Sequence, residues 1–278
     1  MSTGIADAET VAAGTVAAGT ASTRITDASR QDIWKLRSEL YAFFGNSLLQ
    51  VMTTRTALTL DVAFWEGFPL EQTNGHIKAG LAGLASCTQE LSALDRDKAV
   101  ERVGVEYTRL FIGPGKPAAP PWESLYHEGG TVLFGQPTSD MRKLFAAQGL
   151  KASTDSHQFE DHLGFELLYL GVTGARFVEQ GPSAELMEQQ ADFIREHPLS
   201  FIESLWGKAN TAVGGASTSS SDVLSTSVPT PVLFAAPPPA KPLAAPPATT
   251  ALPGYYPALI ELIWGFLLWD LDLLEDCD

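Results

Sequence analysis

An all-α fold is predicted: a single helical bundle with a long disordered Ser/Pro-rich insertion before its last helix. Three observations predict it. Apolar residues recur at helical spacing through most of residues 29–206. The only short β-like run, residues 131–134, stands alone. A further apolar stretch, residues 255–274, follows the insertion and is suited to complete a helical core.

The elements follow in order. Residues 1–28 are rich in Ala, Gly and Thr without an apolar period, and disorder is expected. Ser29 can cap a helix carrying Ile33, Leu36, Leu40, Phe43, Phe44 and Leu48. Ile77, Leu81, Leu84 and Leu91 predict a second helix, and residues 98–111 a third. Gly113, Pro114 and Gly115 end that helix, and Pro117, Pro120 and Pro121 keep the next stretch extended. Ser139 is read as the cap of a helix holding Met141, Leu144 and Phe145, with Gly149 as its left-handed C-terminal cap. Residues 159–179 and a helix capped by Ser183 follow, and Pro198 separates the latter from 199–206. Residues 207–254 read as the Ser-rich, then Pro-rich linker, because proline at this density removes backbone donors. Residues 255–278 read as the last helix of the same domain with an acidic tail. An insertion of this length costs little loop-closure entropy.

Charge narrows the partners. The 278 residues carry a formal net charge of −15. Neither the N-terminal nor the linker segment holds much of it. Residues 1–29 carry Arg24 against Asp7, Glu9 and Asp27, and residues 207–253 carry Lys208 and Lys241 against Asp222. The acidity therefore lies in the part expected to fold, where it repels phosphate backbones and attracts cationic partners. No nucleic-acid binding is expected. Glu261, Asp270 and Asp272 interrupt or follow the most apolar stretch, so it reads as a buried helix rather than a membrane span. Cys87 and Cys277 form no CxxC pattern, and no disulfide scaffold is expected. The N-terminus shows no basic region ahead of an apolar run, so no secretory signal is expected.

Two short stretches could carry chemistry. Residues 107–126 combine a helix end, a Gly-Pro-Gly turn and a stiff proline strap bearing Trp122 and Tyr126. Aromatics on such a path suit a groove for a peptide, and equally suit core packing that pins a loop. The turn lacks the spacing of a phosphate loop. Glu160, Asp161 and His162 stand at a helix start, where acids complement the dipole. An Asp beside a His also suits acid–base work, as in a helical hydrolase, although neighbouring helical residues diverge and no nucleophile motif accompanies them. His127, His157 and His162 lack the spacing of helical metal ligands, and no metal site is expected.

Taken together these residues resemble a family. Tyr107-Thr108-Arg109-Leu110-Phe111-Ile112-Gly113-Pro114 is one part. Pro120-Pro121-Trp122-Glu123-Ser124-Leu125-Tyr126, Leu133-Phe134-Gly135 and Glu160-Asp161-His162-Leu163 are the others. They resemble the TorD/DmsD family of redox enzyme maturation chaperones, nearest its DmsD-like branch through the Pro-Pro-Trp-x-Ser segment. The resemblance covers about residues 30–206 and 255–275. It implies an all-helical, cytoplasmic, non-enzymatic chaperone without a cofactor. Such a chaperone binds the twin-arginine signal peptide of a molybdopterin-dependent oxidoreductase catalytic subunit and holds it for cofactor insertion before Tat export. By motif position it implies peptide contact by Tyr107, Leu110, Phe111, Pro121, Trp122, Asp161 and His162. Gly113, Pro114, Ser124, Tyr126 and Glu160 would shape the groove. Phe159 stands where the family pattern has Pro. The alternative within the family is a nitrate-reductase-type assembly chaperone whose client is not exported. A monomer, or a dimer swapped through the linker, is compatible with this sequence.

Overall fold

Helix α1, Arg30–Leu49, shows how the sequence builds this molecule. Its buried stripe runs through Trp34, Arg37, Tyr41, Phe44 and Leu48, at three- and four-residue intervals. The stripe is rotated from the expected one: Ile33, Leu36 and Phe43 are only half-buried. Arg37 takes a place in that stripe, where Asp270 supplies its counter-charge. The computed structural model describes residues 30–113, 115–127, 135–152, 158–215 and 254–275. The expected N-terminal tail, the β-like run 131–134, Pro114, His157, Cys277 and residues 216–253 of the linker lie outside the described residues.

All regular elements among the described residues are helical, and the fold is an all-α bundle. After α1 come α2 (Val62–Glu66), α3 (Gly75–Leu91) and α4 (Arg96–Tyr107), the last continuing into a π-helical turn, Thr108–Ile112. Then follow α5 (Gln136–Ala147), α6 (Leu163–Gln180), α7 (Ala184–Glu196), α8 (Pro198–Gly215) and α9 (Tyr255–Glu275). Two pairings organise them, α1 along α6 and α3 along α9. Both depend on glycines at the crossing. A Cβ on Gly45 of α1 would stand 2.7 Å from the carbonyl oxygen of Gly164 in α6, and one on Gly80 of α3 would stand 2.5 Å from the backbone nitrogen of Leu262 in α9.

Helix α9 is integral to the core. Leu259, Ile260, Leu262, Ile263, Phe266 and Leu267 are fully buried. Each such side chain stabilises the fold by roughly 1.5–3 kcal/mol, so the chain on both sides of the insertion shares one core.

Boundaries differ from the expected ones in four places. Helix α8 runs to Gly215, so the linker cannot begin at 207. Residues 207–215 contain no proline, Ala209 is fully buried, and Arg109 donates a hydrogen bond to the Ala212 carbonyl. Helix α5 starts at Gln136 rather than after Ser139, because Pro137 sits in its first turn, where a missing N–H costs nothing. Helix α6 starts at Leu163, since 159–162 form a turn. The segment 50–74, for which the sequence suggested no element, holds α2 and a 3-10 turn, Ala57–Leu60. These carry Phe64, Trp65 and Phe68 onto Phe43 and Phe44. Gly149 is left-handed as expected, with φ +69°, and Ser183 caps α7 through Leu186 N–H.

Candidate functional site

The first motif turns its aromatics inward. Tyr107, Leu110 and Phe111 are 2%, 0% and 2% exposed. Tyr107 donates to the Leu48 carbonyl at 3.0 Å. Its ring, Phe111 and Tyr256 meet pairwise at 5.2–5.4 Å between centroids. Glu106, which the sequence reading passed over, accepts from the N–H groups of Tyr255 at 3.3 Å and Tyr256 at 2.8 Å. It thereby satisfies free donors at the start of α9. The motif is thus the junction between α1, α4 and the helix beyond the insertion.

The π turn leads into the strap. Gly113 closes the turn by donating to the Thr108 carbonyl at 2.6 Å, with φ +80°. That conformation favours glycine. Ala118 and Ala119 then donate back to the carbonyls of Arg109 and Leu110. Farther on, the strap pairs with the second motif. Trp122 and His162 form an isolated antiparallel bridge. Glu123 N–H donates to the Asp161 carbonyl at 2.9 Å, and Leu163 N–H to the Pro121 carbonyl at 2.8 Å. The two stretches singled out in the sequence therefore form one unit.

Asp161 holds that unit from the inside. Fully buried, it accepts from Ser124 N–H at 3.0 Å and from the Thr138 hydroxyl at 2.9 Å. It ties the strap to α5. His162 is 1% exposed, and its Nδ1 accepts from Gly164 N–H at 2.9 Å, capping α6. Burial lowers its pKa to about 3. The imidazole is therefore neutral, with its other nitrogen carrying the proton. Asp161 and His162 make separate bonds, so no hydrolase-type dyad is formed. Glu160 grips Arg142 of α5 through two bonds of 2.9 and 3.0 Å, which hold its carboxyl below the usual range.

What the strap leaves reachable is narrower than the motif. Pro121 and Ser124 are buried, whereas Trp122 and Tyr126 are half-buried. Tyr126 donates to the Pro120 carbonyl at 2.8 Å, and the Lys208 ammonium lies 3.7 Å from its ring centre. Trp122 Nε1 and Ser124 Oγ have no hydrogen-bond partner among the described residues. On the outer face of α4, an open groove of about 420 Å³ is lined by Val51, Glu101, Gly104, Val105, Thr108 and Arg109.

Under the strap lies a carboxyl cluster the sequence reading did not single out. Glu123, 3% exposed, accepts from His127 Nε2 at 2.7 Å and from His197 Nδ1 at 2.9 Å. Glu166 of α6 is fully buried, and neither oxygen meets a donor group of another described residue. Burial, and after it the negative charges of Glu123 and Asp161, raise its pKa well above the carboxylate range. A single Glu in the otherwise apolar run of α6 was the available signal. Among the described residues no set of three or more His, Cys, Asp or Glu side chains is arranged to hold a metal ion. No helix among them is long and apolar enough to cross a membrane.

The profile of the family described as nitrate reductase delta subunit matches residues 75–206, which contain both motifs. A chaperone protein TorD from Vibrio cholerae is 30% identical over 135 residues, 45% of this chain and 61% of the relative. Over these residues the chain is similar to the TorD and DmsD chaperones. A second TorD, from a Psychrobacter species, is 26% identical over 60% of this chain and 75% of its own length. A probable Tat proofreading chaperone DmsD from Haemophilus influenzae is 29% identical over 42% of this chain and 55% of its own. In the Vibrio cholerae case the match spans less than two thirds of the relative's length.

Proposed function

We propose that this protein is a cytoplasmic, non-enzymatic maturation chaperone that binds the twin-arginine leader of a molybdopterin-dependent oxidoreductase catalytic subunit and holds it before Tat export. The observation that carries the reading is the union of the two family motifs into one strap, with Trp122 bridged to His162 and left half-buried. The names of the relatives, chaperone protein TorD and probable Tat proofreading chaperone DmsD, support it. So does the charge of −15, which complements a basic leader and speeds encounter. In this reading Trp122 and Tyr126 touch the peptide. Asp161, His162, Pro121, Ser124, Glu160 and Gly113 set the strap, and Tyr107, Leu110 and Phe111 support it from the core.

Calorimetric titration of the full chain with a synthetic twin-arginine leader tests this. Micromolar or tighter binding that weakens at least about ten-fold in Trp122→Ala is expected, as for an interface aromatic worth over 1 kcal/mol. Absence of binding to the wild-type chain contradicts the reading. A second reading, an assembly chaperone for a non-exported nitrate-reductase-type enzyme, is favoured by the family description that matches residues 75–206. Affinity capture from the native cytoplasm separates the two: the retained subunit either carries a twin-arginine leader or lacks one.

A further inference from the structure

We propose that the apolar groove on the outer face of α4 is a docking site for the chain's own insertion, through the segment Val232-Leu233-Phe234. The inference is independent of the leader reading, which concerns the strap.

The groove is open and apolar. Val51, Glu101, Gly104, Val105, Thr108 and Arg109 line a cleft of about 420 Å³. Val105 is 62% exposed and Val51 44%. Two apolar side chains that share one concavity lose their water together when it is filled. Gly104 deepens the cleft. Glycine destabilises a helix interior relative to alanine, and packing does not demand it here. A Cβ at Gly104 would meet nothing nearer than Val51 Cγ2 at 3.5 Å, whereas one at Gly45 or Gly80 would collide with backbone.

Both ends of the insertion lie at the rim of this cleft. Helix α8 ends at Gly215, and in its last turn the Ala212 carbonyl accepts from Arg109, itself a lining residue. The chain returns at Gly254 beside Glu106, the neighbour of Val105. A Cβ on Gly254 would stand 2.8 Å from Glu106 Oε1 and 3.0 Å from Val213 Cγ2. Residues 216–253 therefore leave and rejoin the fold at nearly one point. Val232-Leu233-Phe234 stands near the middle of that excursion. Tethers of about 20 residues span roughly 25 Å and hold a segment at roughly millimolar effective concentration. A contact too weak to form between separate molecules is then populated within one.

The chemistry of the segment fits the cleft. Phe234 is the one aromatic residue within 216–253, and it closes the bulkiest apolar run there. Pro229 and Pro231 precede the run and Pro237, Pro238 and Pro239 follow it. Prolines restrict the free chain and so lower the entropy lost on docking. Asp222 and Lys241 are the only charges in 216–253, and they cancel. The ionisable lining groups, Glu101 and Arg109, cancel as well. An uncharged apolar segment suits such a cleft, and a basic leader gains no electrostatic advantage there.

Photo-crosslinking in the full chain tests the docking, with the photoreactive p-benzoylphenylalanine in place of Phe234 and mass spectrometry locating the adducts. Mixing isotope-labelled and unlabelled chains separates adducts within one chain from adducts between two. Adducts within one chain to Val51, Val105 or Thr108 are expected. Val105→Asp, at an exposed position, is expected to lower their yield at least about three-fold, because a carboxylate replaces the apolar contact. Leu233→Asp, which leaves every helix residue unchanged, is the second variant and carries the same expectation. Absence of within-chain adducts on this face overturns the docking, whether the label reacts elsewhere, with a second copy or not at all. So does a yield that neither variant lowers.

Discussion

Two buried charged clusters sit at opposite ends of the same helix pair and are built on opposite principles. In the first, Arg37 of α1 donates to both oxygens of Asp270 in α9 and to Gln190 of α7. Tyr41 adds a 2.6 Å bond to Asp270, and Gln190 passes the chain to Thr173 of α6. Charges there cancel, and Trp34, Tyr41 and Phe177 stack around the guanidinium. In the second, Glu123, Asp161 and Glu166 crowd together with only histidines to offset them. The first fastens the chain beyond the insertion to the bundle. The second lies under the strap that bridges Trp122 to His162.

The largest effect is expected from breaking the balanced cluster. Asp270→Ala leaves Arg37 buried without its counter-charge and is predicted to cost about 3–5 kcal/mol in urea denaturation. A loss below about 1 kcal/mol would mean that α9 is not held by this pair. Next comes Asp161→Ala, which strips the Ser124 amide and the Thr138 hydroxyl of their acceptor. A loss of about 1–3 kcal/mol is predicted, with exchange rising in the strap and not in α9. Uniform loosening of both regions would erase the distinction drawn between them.

The smallest stability effect sharpens the second cluster. Glu166 has a folded pKa raised above its unfolded value. Its favourable contribution is therefore complete below the unfolded carboxyl pKa, about 4.3, and is lost as pH rises towards the folded value. Glu166→Gln is predicted to gain stability relative to wild type as pH moves from 5 to 8, read from urea midpoints at each pH. A difference between the two chains that stays constant with pH would remove the titration from the account.

Much of this was legible in the sequence, for identifiable reasons. Helical period placed α1, α3, α6, α7 and α9, because each buries a continuous apolar stripe. The fold class followed from the same period, and the resemblance to TorD/DmsD chaperones from motifs that local spacing preserves. The side-chain roles did not follow. Asp161 and Ser124 are 37 positions apart, and nothing local reveals that one accepts from the other. The motif aromatics Tyr107 and Phe111 read as groove residues, yet the structure packs them against Tyr256, from beyond the insertion. Glu166 was visible as a lone acid in an apolar run, but its meaning depends on Glu123, which only the strap's path brings near. The start of α5 was misplaced because Pro137 sets it, not Ser139. The segment 50–74 is too short in period for α2 to announce itself.

The central claim is that the bridged strap is where a leader peptide is held. Hydrogen-exchange footprinting of the full chain with and without a saturating twin-arginine leader tests it most directly. The account predicts added protection in residues 119–126 and 161–163 and none around Asp270. Protection confined to the groove lined by Val51 and Val105, with the strap unchanged, would contradict it.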